Sequence, residues 1–128
     1  MGAYPPEFRL KNRREFDAVF KGASHKQGNR EFLMLAIPNG HVHSRIGMVV
    51  SKRTAGNAVC RNRIKRQVRE IFRSGSIQHR GLDIVVVTRP GVVGVDKSRL
   101  ADCLQGLFGR LQGAASPGGQ QTVVPPRA

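Results

Sequence analysis

Apolar side chains recur along this chain at two periods, and the switch between them lays out the elements. Phe16, Val19 and Phe20 stand three and four apart, with Asn12 placed to cap, Glu15 three residues after it and Gly22 behind, so the spacing predicts a helix over residues 12–21. Residues 24–29 are polar and read as a short edge strand or a loop. Phe32, Leu33, Met34, Leu35, Ala36 and Ile37 then run without a polar break and predict a buried strand over 30–37, closed by the turn Pro38-Asn39-Gly40. Residues 45–51 alternate, with Ile46, Met48 and Val50 on one side and Gly47 and Val49 on the other, which is a strand. After a linker over 52–57, Cys60, Ile64, Val68, Ile71 and Phe72 follow at steps of four, four, three and one, the apolar face of a second helix that Ser74-Gly75-Ser76 closes. The β-branched run Leu82–Thr88 predicts a strand buried on both faces, and strand, helix, strand makes a βαβ unit. Asp96 caps a last helix that carries Leu100, Leu104, Leu107, Phe108 and Leu111 on one face and is stopped by Gly113.

A chain of 128 residues holds one domain with a modest core. That domain is expected over residues 10–113, after an extended lead-in over 1–9 with Pro5-Pro6; the Ser, Pro, Gly and Gln of 114–128 are expected to be disordered. Charge sharpens the picture. The sequence has 22 Lys and Arg against 8 Asp and Glu, a net +14 that favours polyanions and nucleic acid above all. Eight of those cations, Lys52, Arg53, Arg61, Arg63, Lys65, Arg66, Arg69 and Arg73, fall between residues 52 and 73 with Glu70 as the only acid. Ordinary solvated helices mix signs to gain i,i+4 pairs, and this one does not. Asn62, Lys65, Arg66, Arg69 and Arg73 project opposite the apolar face, with Arg61 and Arg63 on its flanks, so the helix holds guanidinium groups at fixed separations suited to a phosphate backbone. Lys52, Arg53 and Gly56 in the linker add cations and free amides just ahead of the helix start.

Several function classes drop out. No apolar run approaches the roughly 18 residues that span a bilayer, and the first ten residues lack a signal core, so a cytoplasmic protein with no membrane partner is expected. The acids are scattered and no His-Glu or Cys-His pattern supports them, so no catalytic residue is expected on the protein. His41 and His43 lack a third ligand, and no metal site is expected; Cys60 and Cys103 lie on apolar helical faces and read as buried thiols. The linker lacks the glycine and Lys-Ser/Thr spacing of a Walker A loop. No helix directly precedes the basic one in helix-turn-helix fashion, which argues against DNA. Phe16 and Phe20, one turn apart, suit core packing or a stacking platform for unpaired bases, and both roles can hold at once.

Arg61-Asn62-Arg63-Ile64-Lys65-Arg66, preceded by Ser51-Lys52-Arg53 and Gly56-Asn57-Ala58-Val59 and followed by Arg69-Glu70, resembles the signature of the bacterial ribonuclease P protein subunit. The resemblance extends to Phe16 and Phe20, to Asn29-Arg30 with Phe32, and to the strand from Asp83 to Val87, covering residues 8–112. It implies an α+β fold, a single-domain α/β sandwich ordered α-β-β-β-α-β-α, with a left-handed βαβ crossover where generic chirality favours the right-handed one, like the second domain of ribosomal protein S5. It further implies that the protein partners a catalytic RNA, which removes the 5′ leader of precursor tRNA with Mg2+ held mainly by that RNA. By resemblance, Lys52, Arg53, Arg61, Asn62, Arg63, Lys65, Arg66 and Arg69 contact the catalytic RNA, and a cleft between the first helix and the sheet holds the leader with Phe16, Phe20, Phe32 and Met34. Leu35 stands where many relatives carry an aromatic residue. The other reading of the residues is a ribosomal or chaperone-like RNA binder with no part in processing.

Overall fold

The computed structural model describes residues 9–10, 12–75 and 81–114, with Thr54, Ala55 and Ala114 described by backbone alone. The elements run α1 (Arg13–Gly22), β1 (His25–Gly28), β2 (Phe32–Pro38), β3 (Arg45–Val49), a one-turn helix α2 (Lys52–Ala55), α3 (Ala58–Ser74), β4 (Leu82–Thr88), a 3-10 turn (Pro90–Val92) and α4 (Lys97–Ala114). Apart from the short α2, which replaces part of the expected linker, this is the α-β-β-β-α-β-α order. Within polar residues 24–29, His25–Gly28 form a strand, and it is an edge. Of the tail expected to be disordered, 114–128, Ala114 instead ends α4, while 115–128 and most of the extended lead-in lie outside the described residues.

Local signals set the helix ends. The Asn12 side chain accepts a hydrogen bond from the Glu15 amide at 3.0 Å, Asn57 does the same for Cys60 at 3.0 Å, and Asp96 for Arg99 at 2.9 Å. Glu15 does more than complete a cap, because its carboxylate accepts from Arg45 across the fold at 3.1 Å. α4 continues through Gly113 to Ala114, one residue beyond the expected stop.

The four strands form one sheet in the order β1-β2-β4-β3, antiparallel except for the parallel pair β3 and β4 that α3 connects. Because side chains alternate along a strand, the register divides the sheet cleanly. Phe32, Met34 and Ala36 of β2, Ile46 of β3, and Leu82, Ile84 and Val86 of β4 face α3 and α4, where they meet Ile64, Val68 and Phe72 and the leucines of α4. Phe72 and Phe108 tie the two helices together with ring centroids 6.5 Å apart. Leu35 and Val85 face the other way, onto Val19 of α1 and Leu10, with Phe16, Leu33, Ile37 and Val87 half-buried around them. Cys103 is buried as expected, whereas Cys60 is only half-buried.

Two polar clusters lock helices to the sheet. Arg45 holds Asp83 bidentately, Nε to Oδ1 at 2.8 Å and Nη2 to Oδ2 at 2.7 Å, and Asn39 donates to the same carboxylate at 2.9 Å. Since Arg45 also reaches Glu15, the start of α1 is fastened to β3 and β4; the bonds to Asp83, with the nearby carboxylates, raise the Arg45 guanidinium above its ordinary pKa. At the other side Arg99 reaches the buried Glu31 at 3.3 Å and fixes the first turns of α4. Burial works to raise the Glu31 carboxyl, but bonds from Cys103 and Arg99 outweigh it and hold the group below its usual range; burial pushes the Cys103 thiol up.

Gly47 shows how closely α1 sits. A Cβ at this position would lie 2.5 Å from Cζ and 2.7 Å from Cε2 of Phe16, so only glycine lets that ring rest on β3. Gly47→Ala is therefore expected to destabilise the protein by ~1–3 kcal/mol through overpacking, read as a lower denaturant midpoint with an unchanged slope.

Candidate nucleic-acid interface

The basic helix is amphipathic as its spacing predicts, but its cations fall into two rows rather than one stripe. Ile64, Val68 and Phe72 are buried beneath α3, with Cys60 and Ile71 beside them. Arg61, Lys65 and Arg69 follow at four-residue steps along one flank and are half-buried, so their aliphatic stems cover the margin of the core. Arg61 Nε is shut from solvent with no acceptor among the described residues, which shows how far that stem is pressed down. Asn62, Arg63 and Arg66 are exposed on the outer face. Glu70, the one acid of the helix, is bound to Arg73 at 2.6 Å, so it does little to neutralise the outer row.

Lys52 and Arg53 are exposed on α2, just ahead of the Asn57 cap. Gly56 makes the bend between the two helices with φ +85°, and α2 leans on the Pro90–Val92 turn that leads toward α4. This path brings in a cation that sequence reasoning missed: Lys97, the first residue of α4, faces Asn62, Arg63, Arg66 and Gln67 across a groove of about 500 Å3. The eight residues expected to meet the catalytic RNA are thus all on α2 and α3, exposed or half-exposed.

The expected leader cleft needs correcting. Phe16 and Phe20 are on α1, half-buried and 45% exposed respectively, as a surface cleft requires. Phe32 and Met34 are not with them. Both have no exposed surface and belong to the core under α3 and α4, on the opposite face of the sheet. The continuous apolar run of β2 conceals its parity, and the odd-numbered side chains are the ones that face α1.

Register identifies the residues that do stand there. Gly28, Leu33, Val87 and Val49 lie side by side across the four strands, one row beyond the Leu35, Val85 and Gly47 row that α1 covers. Glu15 and Gly22 both touch the opposite margin, at Arg45 and Ile37, so the 100° step of the helix turns Phe16 and Phe20 toward the Leu33, Val87 and Val49 row. Leu33 and Val87 are half-buried and Val49 is 36% exposed, which makes a shallow apolar floor. Its far margin is basic. Arg89 Nη1 donates to the Asn29 carbonyl at 2.8 Å and lies over Gly28, where a Cβ would approach it to 3.3 Å. Among the described residues no three His, Cys, Asp or Glu gather as metal ligands. No helix among them is long and apolar enough to cross a membrane.

Comparison with known proteins finds one family both in sequence and in structure. The family model Ribonuclease P matches residues 4–112. The ribonuclease P protein component of Stutzerimonas stutzeri is 41% identical, over 88% of this chain and 89% of that protein, and the one from Idiomarina loihiensis is 41% identical over 85% and 87%. Among solved structures, the RNase P protein of Staphylococcus aureus superposes with a TM-score of 0.74 at 30% identity, covering 82% of this chain and 95% of that one. The RNase P protein from Thermotoga maritima gives 0.67 at 37% identity, with coverage of 80% and 96%.

Proposed function

The chain belongs to the bacterial ribonuclease P protein family, an RNA-binding subunit that partners the ribonuclease P RNA, and from that premise we propose a division of labour between its two surfaces. Lys52, Arg53, Arg61, Asn62, Arg63, Lys65, Arg66 and Arg69 lie against the catalytic RNA. The cleft of Phe16, Phe20, Leu33, Val49 and Val87, edged by Arg89, takes the single-stranded 5′ leader of precursor tRNA in the cytoplasm. Hydrolysis is the work of the RNA with Mg2+ that it mainly holds, and Mg2+ there supplies the charge stabilisation of phosphoryl chemistry. The protein orients and neutralises: its cations lower the repulsion between two polyanions, and its cleft fixes the strand on one side of the cut.

One observation carries this reading. The cationic helix α3 and the cleft helix α1 pack on opposite faces of a single sheet, so the two surfaces are rigidly related and can be occupied together. A simple RNA binder needs only the first. Reconstitution is the test: with the cognate catalytic RNA at low Mg2+, added protein should raise cleavage of precursor tRNA, and protein freed of RNA should cleave nothing. Binding without stimulation would favour a ribosomal or chaperone-like role, and cleavage by the protein alone would move catalysis onto it.

A further inference from the structure

We propose that the groove between α3 and the first turn of α4 is a pocket for one unpaired nucleotide of the RNA partner. Arg63, Arg66 and Lys97 would hold its phosphate and those flanking it along the strand, and Val59 would seat its base between the side-chain amides of Asn62 and Gln67. The inference rests on the reading that α3 lies against the catalytic RNA and adds what that surface recognises there.

Shape is the first argument. A duplex backbone can be met by a convex row of cations, whereas this surface is concave, and about 500 Å3 is the size of a site for a small molecule rather than of a flat contact. The lining is also mixed in a way that phosphate alone does not explain. Three cations suit a phosphate, and Glu70, the one acid beside them, is engaged by Arg73. Val59 is 67% exposed on the second residue of α3, an apolar side chain that packs on little in the free protein but offers a floor to the face of a base. Asn62 and Gln67 each present both a donor and an acceptor, the equipment that reads a base edge.

Such a base has to be unpaired. In an A-form helix the major-groove edges of paired bases are sequestered in a deep, narrow groove and their faces are stacked on neighbours, so the nucleotide whose face meets Val59 must come from a loop, bulge or junction. Lys97 is held in place for this role by its neighbours, because Asp96 caps α4 and Arg99 is anchored on the buried Glu31. The pocket is thus built from two elements that are far apart in sequence and rigidly joined through the core.

The test measures assembly of the full chain with the cognate catalytic RNA across a salt series. Lys97→Ala should weaken binding about tenfold and reduce the salt slope by about one, the signature of one lost phosphate contact. Gln67→Ala should weaken it by about threefold with the slope unchanged, as for a neutral hydrogen bond. Val59→Lys is the deciding variant: it adds a cation yet removes the floor, so binding should weaken. If Val59→Lys tightens binding or leaves it unchanged, the groove is a charged surface and the nucleotide pocket is wrong. If Lys97→Ala and Gln67→Ala bind as the parent does while Arg63→Ala binds more weakly, the groove is outside the interface although α3 is in it. Should Arg63→Ala and Arg66→Ala also bind normally, the placement of α3 on the RNA fails, and the pocket with it.

Discussion

Arg63→Ala/Arg66→Ala is expected to weaken assembly with the catalytic RNA about 100-fold at low salt, on the order of 1.5 kcal/mol for each charge-assisted contact, and to leave the fold intact. Both side chains are exposed and form no part of the core, so the change in unfolding free energy should stay within ~0.5 kcal/mol. The sign of the salt dependence follows from counterion release. The parent protein loses affinity steeply as salt rises, and the variant, with two phosphate contacts fewer, less steeply by about two units of slope. Their curves therefore converge: the defect is largest at low salt and shrinks at high salt. A constant defect at all salt concentrations would mean that these arginines act through shape or hydrogen bonding without ionic contact. Unchanged assembly would remove α3 from the interface.

The choice of these two residues comes from structure rather than from charge. Arg61, Lys65 and Arg69 belong to the same motif, but they are half-buried along the flank, so truncation there removes packing along with charge. A binding defect in those variants would mix folding with recognition. Sequence alone puts these cations on one helix and Arg61 on a flank, because a 3.6-residue period is a local property. It also expects Lys65 and Arg69 opposite the apolar face and Arg63 on a flank, whereas the structure has Lys65 and Arg69 half-buried beside Arg61, and Arg63 exposed. Sequence does not tell how deep each flank sinks, since that depends on what the helix rests upon.

The same division between local and tertiary information runs through the fold. Caps at Asn12 and Asp96 act over three residues and are legible in the chain, whereas Asn57, read there as the end of the linker, is shown as a cap by the structure. Leu82–Thr88 matches its expected bounds because a strand buried on both faces is one uninterrupted apolar block. That property also hides which side chains face which helix, so the run does not reveal that Phe32 and Met34 face away from α1. In β2 the parity becomes fixed only by pairing, Met34 opposite Val86 and Leu35 opposite Val85, and by α1 settling over Gly47. Gly47 was the available clue. Within the alternating strand it marks the face onto which a bulky helix can descend, and a strand aligned with it carries odd-numbered residues to that side. Arg45 with Asp83 and Lys97 with Arg63 were out of reach, because each joins residues dozens of positions apart.

Phe20→Ala and Met34→Ala form the pair that separates the corrected cleft from the expected one. Phe20 is nearly half exposed, so its removal should cost well under the ~3–5 kcal/mol of a buried phenylalanine. What it should cost is leader binding: with a stacking contribution of ~1–3 kcal/mol per base, the holoenzyme's affinity for precursor tRNA should fall at least about fivefold, and its affinity for mature tRNA, which lacks the leader, should not change. Met34→Ala should do the reverse. The side chain is wholly enclosed between the sheet and the two helices on its far face, so truncation leaves a cavity and costs ~2–5 kcal/mol of stability. Under conditions where the variant remains folded, its preference for leader-bearing over mature tRNA should equal that of the parent. Leu33→Ala provides the third arm, since Leu33 is the adjacent residue on β2 and faces the cleft; it should reduce that preference while costing less stability than Met34→Ala. If Met34→Ala lowers the leader preference and Leu33→Ala does not, the strand reads the leader from the face opposite α1, and the cleft assigned from register is wrong.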